Sequence, residues 1–240
     1  MGHVYKEWTS ANLPELLGAT GQSGHTGCIS SVAVLPDGNI VTGGWDNVAI
    51  IWDHQTHRIR QRLGQMHNKN PQLGHTADIA GVTVLSNGLV VTVSADHTAI
   101  IWNPQTGAML QRLVGHQDML TGVDVTPAGH IVTVSHDRTA MIWDAVSGAL
   151  LRQLGCFKNE QTARGHTDLI YTVKVLDADR VVTGGADQRA LIWNMHSGEI
   201  IQAMDEHMGA VRAVTQLSDG RMVTAGDDRT AIIWNRKNAT

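Results

Sequence analysis

Histidine is the side chain this sequence offers most freely for chemistry, with 13 copies in 240 residues beside two cysteines. Imidazole moves protons near neutral pH and ligates metals, so its clusters are the first place to look. The most ligand-like group is Asp53, His54 and His57. It follows a tryptophan where a turn would carry polar residues anyway, and it lacks the further ligands that a zinc site requires. Cys28 and Cys156 each have a histidine nearby in sequence, but no orienting group or oxyanion motif stands beside either. Thr42-Gly43-Gly44 and Thr183-Gly184-Gly185 run into hairpin turns and not into helices, so they make no phosphate cradle. The expectation is a protein that is not an enzyme, with no catalytic residue, no metal and no cofactor.

Five of the histidines keep a period. Gly-His stands at His25, His75, His116 and His166, Glu206-His207 replaces it in a fifth unit, and each is followed by Trp-Asp or Trp-Asn at Trp52, Trp102, Trp143, Trp193 and Trp234. Self-similarity at roughly 40–50 residues marks a solenoid or a propeller. Within a unit, β-branched runs such as SSVAVL, NIVTGG and VAIIW alternate with turn formers such as PDG and WDN. Counting the run after the tryptophan, such as MLQRLVG, this is a four-stranded antiparallel meander. The tryptophans alternate spacings of 50 and 41 residues, and a shift of 91 superposes His25 on His116 and Trp102 on Trp193. A duplicated two-blade unit plus one further blade is the simplest reading.

These concordant units, from about residue 23 to 235, resemble the WD-repeat (WD40) β-propeller family. The resemblance implies an all-β fold: one domain over 1–240, a five-bladed propeller of four-stranded antiparallel blades, with repeats at about 23–63, 73–113, 114–154, 164–204 and 205–240. It also implies one structural tetrad per unit, built from a loop His, a Thr on the second strand, an Asp in the next loop and the Trp of the third strand. The five sets are His25, Thr42, Asp46 and Trp52; His75, Thr92, Asp96 and Trp102; His116, Thr133, Asp137 and Trp143; His166, Thr183, Asp187 and Trp193; His207, Thr224, Asp228 and Trp234. Mutual hydrogen bonding spares each buried polar group a desolvation cost of a few kcal/mol. A set recurring in every unit reads as scaffold, because an active site is normally singular.

Family members most often have seven blades, and five lies at the lower limit for a closed ring. The last unit stops before an outer strand, while residues 12–17 (NLPELL) stand where such a strand would precede a blade. The N-terminus is therefore expected to supply the fourth strand of the last blade, with Pro14 tolerated at the outer edge. A monomer closing its own ring is expected ahead of a homo-oligomer.

The resemblance further implies partner contacts at the residues three and five after each His and just before each tetrad Asp. These are Cys28, Ser30 and Trp45; Asp78, Ala80 and Ala95; Met119, Thr121 and His136; Leu169, Tyr171 and Ala186; Ala210, Arg212 and Asp227. From them Trp45, Met119, His136, Leu169, Tyr171, Arg212 and Asp227 form the candidate partner-binding set. Trp, Tyr and Arg are the types enriched at binding hot spots. Met119, Leu169 and Tyr171 make either an apolar interaction patch or packing under the enlarged loops at 64–73 and 155–164, which are expected on this same face.

A net charge of -4 and a pI near 6.3, with no basic stripe, argue against direct nucleic-acid binding. No run approaches the roughly 20 apolar residues of a membrane span, the N-terminus has no signal-peptide pattern, and Lys6 stands where a myristoylation signal wants Ser or Thr. Two distant cysteines suit a reducing compartment, cytoplasmic with nuclear also open. The function expected is a non-catalytic scaffold for a protein or peptide partner. A small-molecule or glycan-binding propeller, and a structural subunit or engineered array with no ligand of its own, stay open as alternatives.

Overall fold

The computed structural model describes residues 24–157 and 165–235. Nineteen strands fall into five antiparallel sheets among them. The first blade is β1 (Ile29–Val34), β2 (Ile40–Gly44), β3 (Ala49–Trp52) and β4 (Ile59–Leu63). The second is β5 (Ile79–Val84), β6 (Val90–Ser94), β7 (Thr98–Trp102) and β8 (Met109–Val114). The third is β9 (Leu120–Val125), β10 (Ile131–Ser135), β11 (Ala140–Trp143) and β12 (Leu150–Leu154). The fourth is β13 (Ile170–Val175), β14 (Arg180–Gly185), β15 (Ala190–Asn194) and β16 (Ile200–Met204). The fifth has three described strands, β17 (Val211–Gln216), β18 (Met222–Gly226) and β19 (Ala231–Trp234). The expected closing strand at 12–17 lies outside the described residues. No helix among the described residues is long and apolar enough to cross a membrane.

In the first four blades the second and third strands are buried almost throughout, whereas the outer strands β4, β8, β12 and β16 carry exposed positions. Runs such as VVTVS and AIIW therefore do not alternate like a half-solvated strand, because both faces of the sheet are covered. The cover comes from the neighbouring blades. One apolar cluster joins Val41, Ala49, Ile51 and Leu63 of the first blade to Ile79, Val82, Ile100 and Trp102 of the second. The next joins Val91, Ala99, Ile101 and Leu113 to Leu120, Ile131, Met141 and Trp143. Equivalent clusters join the third blade to the fourth and the fourth to the fifth. The main cores thus lie between blades.

The innermost strands pack in the order β1, β5, β9, β13, β17. They approach closely: a Cβ added at Gly43 would sit 2.6 Å from Ile79 Cγ2, and one at Gly184 would sit 2.7 Å from Val211 Cγ1. In the first and fifth blades the pattern of burial changes. Ile29 is 56% exposed, yet its counterparts Ile79, Leu120, Ile170 and Val211 are at most 1% exposed. Ile233 is 54% exposed, against at most 7% for Ile51, Ile101, Ile142 and Ile192.

Candidate functional site

The five tetrads share one geometry. Each His Nδ1 lies 2.7–2.9 Å from its Asp carboxylate, in the pairs His25–Asp46, His75–Asp96, His116–Asp137, His166–Asp187 and His207–Asp228. Each His Nε2 lies 2.7–2.8 Å from the Oγ1 of Thr42, Thr92, Thr133, Thr183 or Thr224. The indole Nε1–H of Trp52, Trp102, Trp143, Trp193 or Trp234 donates to that same hydroxyl at 2.8–2.9 Å. An Asp–His–hydroxyl relay is the layout of a nucleophilic triad. Here the hydroxyl belongs to a threonine at most 4% exposed and already accepts the indole proton, so no substrate reaches it.

The Asp carboxylate does more than hold the imidazole. It accepts the N–H of the residue after the His and the N–H two residues further along its own turn, as Asp137 does with Gln117 and Thr139. Burial pushes the carboxyls of Asp46, Asp96, Asp137 and Asp187 up, but the His hydrogen bond and charge together with these N–H groups outweigh it and hold them below 3.8. The same bonds clamp a left-handed turn residue after each Asp: Asn47, His97, Arg138, Gln188 and Arg229 have φ between 66° and 75°. Hydroxyls two residues after the Asp join the network in three blades, at Thr98, Thr139 and Thr230. Sequence reading missed them, although their fixed offset was visible.

The rim positions are built by a β-bulge that recurs at the top of each innermost strand. In β1, Ile29 pairs with Gly44 and Ser31 with Gly43, so Ser30 is left out of the ladder. The same register shift leaves out Ala80, Thr121, Tyr171 and Arg212. A bulge re-aims a side chain away from the pleat, which is why these positions escape the core. In blades one and three the bulge hydroxyls reach the next blade: Ser30 Oγ donates to the Ile79 carbonyl at 2.5 Å and Thr121 Oγ1 to the Ile170 carbonyl at 2.7 Å. In blades four and five the bulge carries a large head instead.

Those heads meet. The Arg212 guanidinium lies 3.9 Å from the centre of the Tyr171 ring, and His136 of the third blade meets that ring edge-on at 5.6 Å. Asp227 receives Arg212 Nε at 2.9 Å and Nη2 at 2.7 Å, both side chains being half exposed. This contact holds the Asp227 carboxyl below its ordinary value and the guanidinium above its own. Beneath them, inner-strand residues Ser31, Gly81, Gly122 and Thr172 of the first four blades line one open groove that Tyr171 borders.

Of the other candidates, Met119 is 37% exposed and Leu169 half-buried, and each backbone carbonyl accepts an N–H from the facing turn, His136 and Ala186 respectively. Trp45, 54% exposed, stands on the first blade, and among the described residues no ring contact links it to the Tyr171 group. The enlarged loop at 64–73 is tied to the tetrad face. His67 N–H donates to the Asp46 carbonyl, His67 Nε2 meets Thr26 Oγ1 at 3.0 Å, and buried Asn68 donates to the Asn70 and His75 carbonyls. Most of the second enlarged loop, 158–164, lies outside the described residues. Asp53 is a turn former whose Oδ1 accepts the N–H groups of Gln55 and Thr56, and His54 turns toward Asn39. No group of three or more His, Cys, Asp or Glu that could hold a metal occurs among the described residues.

The model for the WD domain, G-beta repeat, matches residues 18–53, 68–103, 107–144, 157–194 and 198–235. No curated protein matches the chain. Among solved structures, one titled "Structure of U3-55K" is 21% identical with a TM-score of 0.76, over 89% of this chain and 62% of that one. Another, "Crystal structure of RRP9 WD40 repeats", is 21% identical with a TM-score of 0.77, over 90% of this chain and 62% of that one. The chain spans about three fifths of the length of these neighbours, and at this identity the likeness concerns the fold.

Proposed function

From the premise that this chain belongs to the WD domain, G-beta repeat family, we propose that it is a non-catalytic interaction scaffold that takes a peptide or protein partner on its tetrad face. One observation carries the reading: two adjacent bulges present Tyr171 and Arg212 as a stacked pair, braced by Asp227 and His136 and half open to solvent. Bulges on the first and third blades are spent on inter-blade bonds, so this pair is not a requirement of the ring. A rigid aromatic next to a guanidinium offers stacking area and fixed donors at small entropic cost, the combination found at interface hot spots. Met119 and Leu169 would extend the contact as its apolar margin, and Trp45 would anchor the far side across the groove. Such a scaffold belongs in a reducing compartment, the cytoplasm or the nucleus.

The test is pull-down of a native partner by the wild-type chain and by variants. Tyr171→Ala combined with Arg212→Ala, and Tyr171→Ala combined with Trp45→Ala, should each abolish capture while leaving thermal stability nearly unchanged. Full capture by both double variants would overturn the site.

A further inference from the structure

A guanidinium carries its N–H donors in a planar fork, so what an arginine can still bind is read from the donors its own protein leaves unused. Arg112 leaves few: its Nη1 donates to Thr98 and Asp96, and its Nη2 to the Pro71 and Gly74 carbonyls. Arg212 is different. Asp227 occupies only the side of its fork, receiving Nε at 2.9 Å and Nη2 at 2.7 Å. The end of the fork, Nη1 with the second N–H of Nη2, donates to no residue among those described. Tyr171, 3.9 Å away, fixes the plane in which that end lies, and the Arg212 side chain stays half exposed. Held on one edge and one face, the guanidinium has little freedom left to lose when a ligand meets the other edge.

The groove that Tyr171 borders, about 200 Å3 in volume, adds hydroxyl donors. Thr172 Oγ1 has no hydrogen-bond partner among the described residues, and Ser31 Oγ accepts the Val82 N–H but donates to none of them. Because Asp227 already balances the Arg212 charge, the open end suits a monoanion with two coplanar oxygens. A carboxylate matches it bidentately, whereas a phosphate dianion would face Asp227 with one shared guanidinium to offset it. We propose that the partner presents an acidic side chain, an Asp or Glu of an extended segment, whose carboxylate docks on the open end of Arg212 while the segment follows the groove. This rests on the tetrad face at Tyr171 and Arg212 being the partner site, and it specifies what the partner must carry there.

Panning a phage-displayed library of random linear peptides on the immobilised wild-type chain supplies the probes, and those that fail to bind Tyr171→Ala are kept. They should share an Asp or Glu at one position. Replacing that residue by Asn or Gln should weaken binding to the wild type about tenfold to a hundredfold, the effect of losing a bidentate bond to a charged group. The same replacement should leave binding to Arg212→Gln unchanged. Arg212→Lys, which keeps the charge and loses the fork, should bind the acidic peptides almost as poorly as Arg212→Gln does. Unchanged thermal melting would show that the variants still fold. Tyr171-dependent peptides that share no acidic residue, or whose acidic residue matters equally to the wild type and to Arg212→Gln, overturn the inference and leave the partner site standing. So does tighter binding when phosphoserine replaces the acidic residue, which would assign the fork to a phosphate. A library that yields no Tyr171-dependent peptide removes the site itself, and the inference with it.

Discussion

Asp137 is the acceptor at the centre of the third blade, and replacing it by alanine measures what a tetrad contributes. Its side chain is 2% exposed and accepts from His116 Nδ1, Gln117 N, Thr139 N and Thr139 Oγ1, all at 2.7–2.9 Å. The Thr139 hydroxyl can turn to another acceptor, but the other three donors are fixed by the backbone and by the Thr133 contact on the far side of the imidazole. A buried donor left unsatisfied costs about 1–3 kcal/mol, and relief of the carboxylate's own desolvation returns part of the sum. The expected loss for Asp137→Ala is therefore about 3–5 kcal/mol. Asp137→Asn should fall between, because its oxygen still accepts while its amide nitrogen faces donors. Exposed Asp168, whose Oδ1 accepts the N–H of its neighbour Leu169, is the control, and its alanine variant should unfold close to the wild type. Urea unfolding followed by tryptophan fluorescence reads all three, Trp143 reporting from the same network. A loss below about 1 kcal/mol for Asp137→Ala would refute the view that the carboxylate holds the blade together.

Two further outcomes follow from the same geometry. Gly43→Ala places a Cβ 2.6 Å from both Ile79 and Val82, so it should destabilise the junction of the first two blades by about 1–3 kcal/mol, read as faster amide exchange in β1 and β5. Acid should weaken the fold: the tetrad carboxyls of Asp46, Asp96, Asp137 and Asp187 titrate below 3.8 in the folded chain, so the unfolded chain takes up protons first. Their stabilisation is complete above that value and declines as pH falls below about 4, and a urea midpoint that stays level down to about pH 3 would contradict it.

The tetrads were legible in the sequence because their partners keep constant separations, 21 residues from His to Asp, 17 from His to Thr and 10 from Thr to Trp, in every unit. The Tyr171–Arg212 pair was legible as two residues on one rim, but their stacking was not. It depends on how far apart two neighbouring bulges lie, which no local pattern encodes. The bulges were missed for the same reason, since Ser30 and Tyr171 sit inside runs that alternate like any strand. The exposure of β1 was equally hidden: ISSVAV reads as core sequence as well as IYTVKV in β13 does, and among the described residues only β13 has an inner strand packed on each side. Trp45, which drew attention as a lone loop tryptophan, makes no ring contact with another aromatic among the described residues.

Cores that lie between blades make each blade a link in a chain of like contacts, its own stability resting on the blades beside it. Every blade consumes one face and regenerates the other, so inserting a unit leaves each existing contact chemically unchanged, which is what lets a 91-residue segment be copied whole.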